Sequence, residues 1–155
     1  HAPLWPALLD HVRLDADDFA PMIAFYRDAL GMAPEELDDG TVLLQAPGRR
    51  ILLGRGVRGE QPFIAFRLES DAQLEATKAH VASKRVPVLA SPTRVFAPGA
   101  FAVRDPDGRL VVFGLPDPSL PPAVAQAGNP AAALQGRLQH VVVASRALAP
   151  NTKRR

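Results

Sequence analysis

The sequence contains no cysteine. Disulfides, thiolate metal centres and cysteine nucleophiles are therefore excluded. It has one tryptophan and one tyrosine beside seven phenylalanines. Long hydrophobic runs are also missing. No stretch approaches the roughly 18–20 apolar residues that span a bilayer. The opening HAPLWPALLD has two prolines, an aspartate and none of the apolar centre of a signal peptide. Charge of one sign is scarce too. The formal net charge is +2, and three of the positive charges are Lys153, Arg154 and Arg155, so the remainder carries a net −1. A body so close to neutral gives no footing for nucleic acid. Localisation is left open by the lack of cysteine, with cytoplasmic as the default, and neither a membrane nor a nucleic-acid partner is expected.

What is present is ordinary globular material, 47% hydrophobic and 22% charged, in a chain long enough for one good-sized core. Residues 8–14 (LLDHVRL) read as a strand. Asp15 to Asp18 break it and offer a helix N-cap. A helix over 19–30 follows, with Ile23, Tyr26 and Leu30 at helical spacing and Gly31 as its left-handed stop. Residues 41–45 and 50–53 read as strands around the Ala46-Pro47-Gly48 turn, and a weaker strand precedes Asp38-Asp39-Gly40.

The pattern then repeats. Residues 63–68 (FIAFRL) form a strand. Ser70 with Gln73 signals a capping box for a helix over 72–84. Strands are predicted over 86–89, 100–104 and 109–113, the last two joined by the Asp105-Pro106-Asp107-Gly108 turn. Strand, helix and three strands thus occur twice. The expected class is α+β, with paired βαβββ modules over residues 1–115 whose curved sheets each carry one helix.

Beyond residue 115 the composition shifts. Residues 116–136 are rich in proline and alanine and read as a linker. Residues 138–144 (LQHVVVA) then form a strand whose continuation, HVVVASRALAP at 140–150, matches HVRLDADDFAP at 11–21. Residues 137–155 are accordingly expected to be the first strand of a truncated second domain, or else a docking tail. A lone strand cannot bury its own apolar face. The expected consequence is a homo-oligomer, formed by exchanging this strand between copies.

DHVRL, AFYRDALGM, FIAFRLES and VRDPDGRLVVF together resemble the vicinal oxygen chelate superfamily, which includes glyoxalase I, bleomycin-resistance proteins and type I extradiol ring-cleaving dioxygenases. The linker and second start are most similar to the extradiol branch. That resemblance implies a metal-free N-terminal domain, joined in a full-length parent to a catalytic domain with Fe(II) or Mn(II). His140 stands where the first metal histidine of that second domain would be. The metal positions of the first domain, carried over by resemblance, fall at His11, about Leu53, Phe63 and Val112. One ligand of four remains, so neither a metal nor another cofactor is expected in this domain. The alternative is a drug-binding module of the bleomycin-resistance type, without catalysis. The chain alone is expected to be inactive.

Candidate ligand contacts are His11, Phe63, Phe101 and Val112, for a small aromatic molecule. His11 reads either as a packing histidine within the sheet or as a pocket residue. Trp5, Tyr26 and Phe96 could join Phe101 in an aromatic wall, and Arg55, Arg58, Arg94 and Arg104 could line a cleft for an anionic or aromatic ligand. His80 reads as a solvent-facing helical residue. Asp10, Asp17 and Asp18 read as cap and turn groups, and Asp105 and Asp107 as turn formers. Gly54-Arg55-Gly56 lacks the helix that a phosphate cradle needs.

Overall fold

A computed structural model describes residues 5–120. The linker from 121 onward, the strand at 138–144 and His140 lie outside the described residues. The elements run β1 (Leu8–Ala16), α1 (Phe19–Ala24), a π-helical turn (Phe25–Ala29), β2 (Ala33–Glu36), β3 (Val42–Ala46) and β4 (Arg49–Arg55), then β5 (Phe63–Arg67), α2 (Asp71–Ser83), β6 (Leu89–Ala90), β7 (Phe101–Arg104) and β8 (Leu110–Gly114). The strands form one mixed eight-stranded sheet in the order β2-β3-β4-β1-β5-β8-β7-β6. Each module places its first strand parallel to its last, β1 to β4 and β5 to β8, and the two first strands meet antiparallel at the centre. The doubled order read from the sequence is thus a doubled half-sheet, and the α+β class of paired βαβββ modules stands.

Strand alternation divides the sheet into two faces. Val42, Leu44, Leu53 and Ala16 form a core with Phe19, Met22, Ile23, Tyr26 and Leu30 of the first helical segment. In the second half, Phe101 and Phe113 pack with Leu74 and Val81 of α2. Ser70 caps α2 by accepting the N–H of Gln73 at 3.1 Å, and the Gln73 side chain accepts the N–H of Glu69 in return.

The other face carries no helix among the described residues. Leu43, Leu52, Phe63, Ala65, Ala102 and Val112 build its core, and Val95 and Phe96 complete it. Residues 91–97, between β6 and β7, therefore act as a strap across this face. The strap is tied down by a bridge between Phe96 and Pro116 and by the Ala97 N–H on the Leu115 carbonyl.

Three sequence expectations need adjustment. The helix predicted over 19–30 changes to a π turn at Phe25, because a five-residue segment is too short for periodicity to separate the two windings. The strand predicted over 86–89 begins only at Leu89, since Arg85 takes a left-handed φ of 65° and Pro87 has no N–H to give the ladder. The strand at 33–36 is better formed than expected, although it is exposed along its length.

Candidate functional site

The centre of the strap face is built by an irregularity in β1. Leu9 is registered with Phe66 and His11 with Ala65, so Asp10 is an extra residue in a β-bulge. The bulge lets two consecutive residues turn inward, and Asp10 and His11 are both buried. His11 is completely enclosed. Its ring meets the edges of Phe96 at 5.1 Å and Phe63 at 5.9 Å.

Polar groups satisfy these buried side chains. The His11 Nδ1 lies 2.7 Å from the Asp10 Oδ2, and its Nε2 lies 2.9 Å from the Thr93 Oγ1 on the strap. A carboxylate only accepts, so Nδ1 carries the proton. In the neutral ring Nε2 is then the acceptor and takes the Thr93 hydroxyl hydrogen, while the Thr93 oxygen accepts the Val95 N–H at 3.2 Å. Behind Asp10, Arg50 reaches its Oδ2 at 3.4 Å and donates to the Gln45 Oε1 at 2.8 Å.

Burial pushes the His11 imidazole below its ordinary value, outweighing the upward pull of the Asp10 hydrogen bond and charge. Burial alone would raise Asp10, but the His11 hydrogen bond and the charges of His11, Arg50 and Arg67 hold it below the ordinary carboxylate value. The site at neutral pH is therefore a neutral imidazole between a carboxylate and a hydroxyl.

Sheet register sorts the sequence candidates. Leu52 pairs with Arg13, Arg13 with Phe63, His11 with Ala65 and Ala65 with Val112, so His11, Leu52, Phe63 and Val112 share the strap face. At the position placed at about Leu53, it is Leu52 whose side chain faces the strap. Leu53 packs under α1, because a shift of one residue along a strand exchanges faces. Phe101 is also corrected. It is buried under α2 against Phe113, with ring centroids 5.5 Å apart, and not beside His11. Of the other aromatics, Phe96 reaches His11, Tyr26 packs under the first helix and Trp5 is exposed.

The arginines do not converge. Arg55 lies over the Phe19 ring, Arg94 pairs with Asp38, and Arg104 donates to the Gly108 carbonyl; Arg58 is exposed. His80 is half-buried on α2. Asp18 caps α1 and Asp105 accepts two N–H groups of its turn, as expected of them. Asp10 departs from its expected cap or turn role. Sequence reasoning passed over Thr93, Arg50 and Gln45, since nothing local marks a residue 82 positions from His11 as its partner. Among the described residues no group of three His, Cys, Asp or Glu side chains is placed to hold a metal ion. No helix among them is long and apolar enough to cross a membrane.

A doubled βαβββ sheet with one histidine at its centre defines a class of folds, and the comparisons identify the family. The model of the Glyoxalase/Bleomycin resistance protein/Dioxygenase superfamily matches residues 8–113, and the chain belongs to that superfamily. Similar solved structures include homoprotocatechuate 2,3-dioxygenase of Brevibacterium fuscum, with a TM-score of 0.60 and 19% identity over 70% of this chain and 32% of that one. The enzyme of the same name from Arthrobacter globiformis gives 0.60 and 22% over 70% and 36%. A catechol 2,3-dioxygenase gives 0.61 and 16% over 70% and 38%. At these identities the likeness is one of fold. The chain spans about a third of the length of those structures. No curated protein matches it.

The Fe(II) or Mn(II) that such relatives imply does not fit the residues of the described domain. Leu52, Phe63 and Val112 offer no donor atoms, and both nitrogens of His11 are engaged. A divalent ion of this kind needs several nitrogen or oxygen ligands and open positions.

Proposed function

We propose that residues 8–113 are the metal-free supporting domain of an extradiol-dioxygenase-like protein, and that ring cleavage belongs to a second domain of a longer parent. The observation that carries this reading is the strap face itself. The residues that resemblance sets at the family's metal positions share that face, where three are apolar and the fourth is a histidine locked between Asp10 and Thr93. Val95 and Phe96 fill the space above them. The likeness to ring-cleaving dioxygenases, matched over about a third of their length, is consistent with one domain of such a protein.

The test compares oxygen uptake on a panel of catechols with Fe(II) or Mn(II) present. The full-length parent should consume oxygen and yield ring-cleaved product, while the 155-residue chain should not. A full-length parent inactive across the panel would count against the proposal. A module that only binds a small aromatic molecule is the second reading, favoured by the open cleft beside Phe96 of about 510 Å³. Saturable binding of an aromatic ligand by the 155-residue chain would advance it. We also propose that the chain self-associates through residues 138–143, which light scattering would refute by returning a strict monomer.

A further inference from the structure

The buried polar chain on the strap face has the order of an acyl-transfer relay. Asp10, His11 and Thr93 follow one another at 2.7 and 2.9 Å, as carboxylate, imidazole and hydroxyl. The proton positions deduced above suit that use. Nδ1–H faces the carboxylate, and Nε2 is free of a proton and accepts from the hydroxyl. Activation of a hydroxyl needs this arrangement of nucleophile, base and orienting group, recognised by geometry and not by fold. Thr93 is buried, at 8% exposure, and belongs with Ser91, Phe96, Ala97, Pro98 and Ala100 to the wall of the 510 Å³ cleft. Arg94 is the cation on that wall and Asp117 the anion.

We propose that Thr93 is a nucleophile, with His11 as its base and Asp10 as the positioning residue, and that it accepts a short acyl group from a small carboxylic ester bound in this cleft. The Thr93 Oγ1 attacks the ester carbonyl as its proton passes to the His11 Nε2. The C–O bond to the leaving group then breaks, and the departing oxygen takes that proton. Water hydrolyses the acyl-threonine by the same path, returning the carboxylic acid and the free hydroxyl. No oxidant, reductant or metal enters the balance. The slight exposure of Thr93 suits a short acyl group. This activity goes beyond the supporting role proposed above and does not depend on it.

The experiment uses the 155-residue chain at neutral pH with a chelator present, and p-nitrophenyl acetate as the ester. Peptide mapping by mass spectrometry locates the acetyl group, which separates relay chemistry from random acetylation of surface lysines. The expected result is one acetyl on Thr93, with p-nitrophenolate release. Thr93→Val should lose the adduct, at some cost in stability because His11 Nε2 and the Val95 N–H lose their buried partner, and Thr93→Ser, which keeps the hydroxyl, should retain both fold and adduct. His11→Gln should slow labelling on the order of 10²-fold, the usual contribution of a positioned base. If Thr93 stays unmodified while surface lysines are acetylated, the proposal is overturned. It is equally overturned if His11→Gln, still folded, labels Thr93 at the wild-type rate.

Discussion

At the scale of single residues, the controlling fact is that charge has been taken into the sheet and satisfied there. Asp10 is the shared acceptor of His11 and Arg50, and its side chain is 3% exposed. Removing one member of such a set leaves a buried charge without its counterpart, which is strongly destabilising. Asp10→Asn should therefore lower the unfolding free energy by about 3–5 kcal/mol, read from the urea midpoint. A loss no larger than that of an exposed aspartate variant would show that Arg50 and His11 do not rely on this carboxylate.

The same residues set a pH dependence. Folded His11 titrates below its ordinary value of 6.5 because burial disfavours the imidazolium. As pH falls through 6.5 the unfolded chain takes up a proton there that the folded chain does not, so stability declines and then levels off once folded His11 is protonated. Above that window the contribution is constant. Asp10 adds a separate loss at lower pH, since its folded value lies below 3.8 and its stabilising charge disappears as pH falls through it. The charged groups acting on the imidazole are Asp10 and Arg50, with Arg67 acting on Asp10. Urea midpoints measured across pH for the wild type and His11→Gln should converge as pH drops from neutral to mildly acidic. Parallel curves would mean that His11 keeps its ordinary titration.

At the scale of elements, the strap is the feature that decides what this domain can do, and it was the least visible in the sequence. The strands and both helices were legible because alternation, helical spacing, the Ser70–Gln73 cap and the Asp105–Gly108 turn are local signals. Seating Val95 and Phe96 across β4, β5, β7 and β8 is a tertiary event with no periodic signature. The bulge at Asp10 was hidden for a related reason. Strict alternation predicts that Asp10 and His11 face opposite ways, and only the pairing register reveals the extra residue. Of the candidate site, His11, Phe63 and Val112 were readable as neighbours through the family motif. Thr93, Arg50 and Gln45 were not.

The strap also explains a glycine at the end of β8. A Cβ on Gly114 would press into the Phe96 ring and come within 2.8 Å of the Ala100 Cβ. Phe96 is held by its bridge to Pro116 and by the core beneath it, so it has little room to retreat. Gly114→Ala should cost about 1–3 kcal/mol, the usual range for overpacking a core. Gly108→Ala, where the glycine has open space but a φ of 86°, should instead show only the penalty of a left-handed backbone. Thermal melts of the two variants distinguish strap displacement from turn strain through tertiary signals near Phe96, which only the first should disturb.

At the scale of the whole molecule, the doubled half-sheet brings His11, Leu52, Phe63 and Val112 onto one face while the strap occupies the space in front of them. Sheet register alone would permit a site to be rebuilt. Phe63→His and Val112→Glu would add two donors to the face that already holds His11. Two terms oppose this. The new polar groups would be buried among Leu43, Leu52, Ala65 and Ala102, and each unpartnered one carries a desolvation penalty of about 1–3 kcal/mol. His11 would also have to release both Asp10 and Thr93 to present a nitrogen. We therefore expect the wild-type chain, dialysed against Mn(II) or Fe(II) under reducing conditions, to retain substoichiometric metal by elemental analysis. The double variant should be less stable than the wild type and gain no tight binding. If it did bind one ion per chain, the strap would be a displaceable cover over a latent metal centre, and the supporting role proposed for this domain would have to give way to a catalytic one.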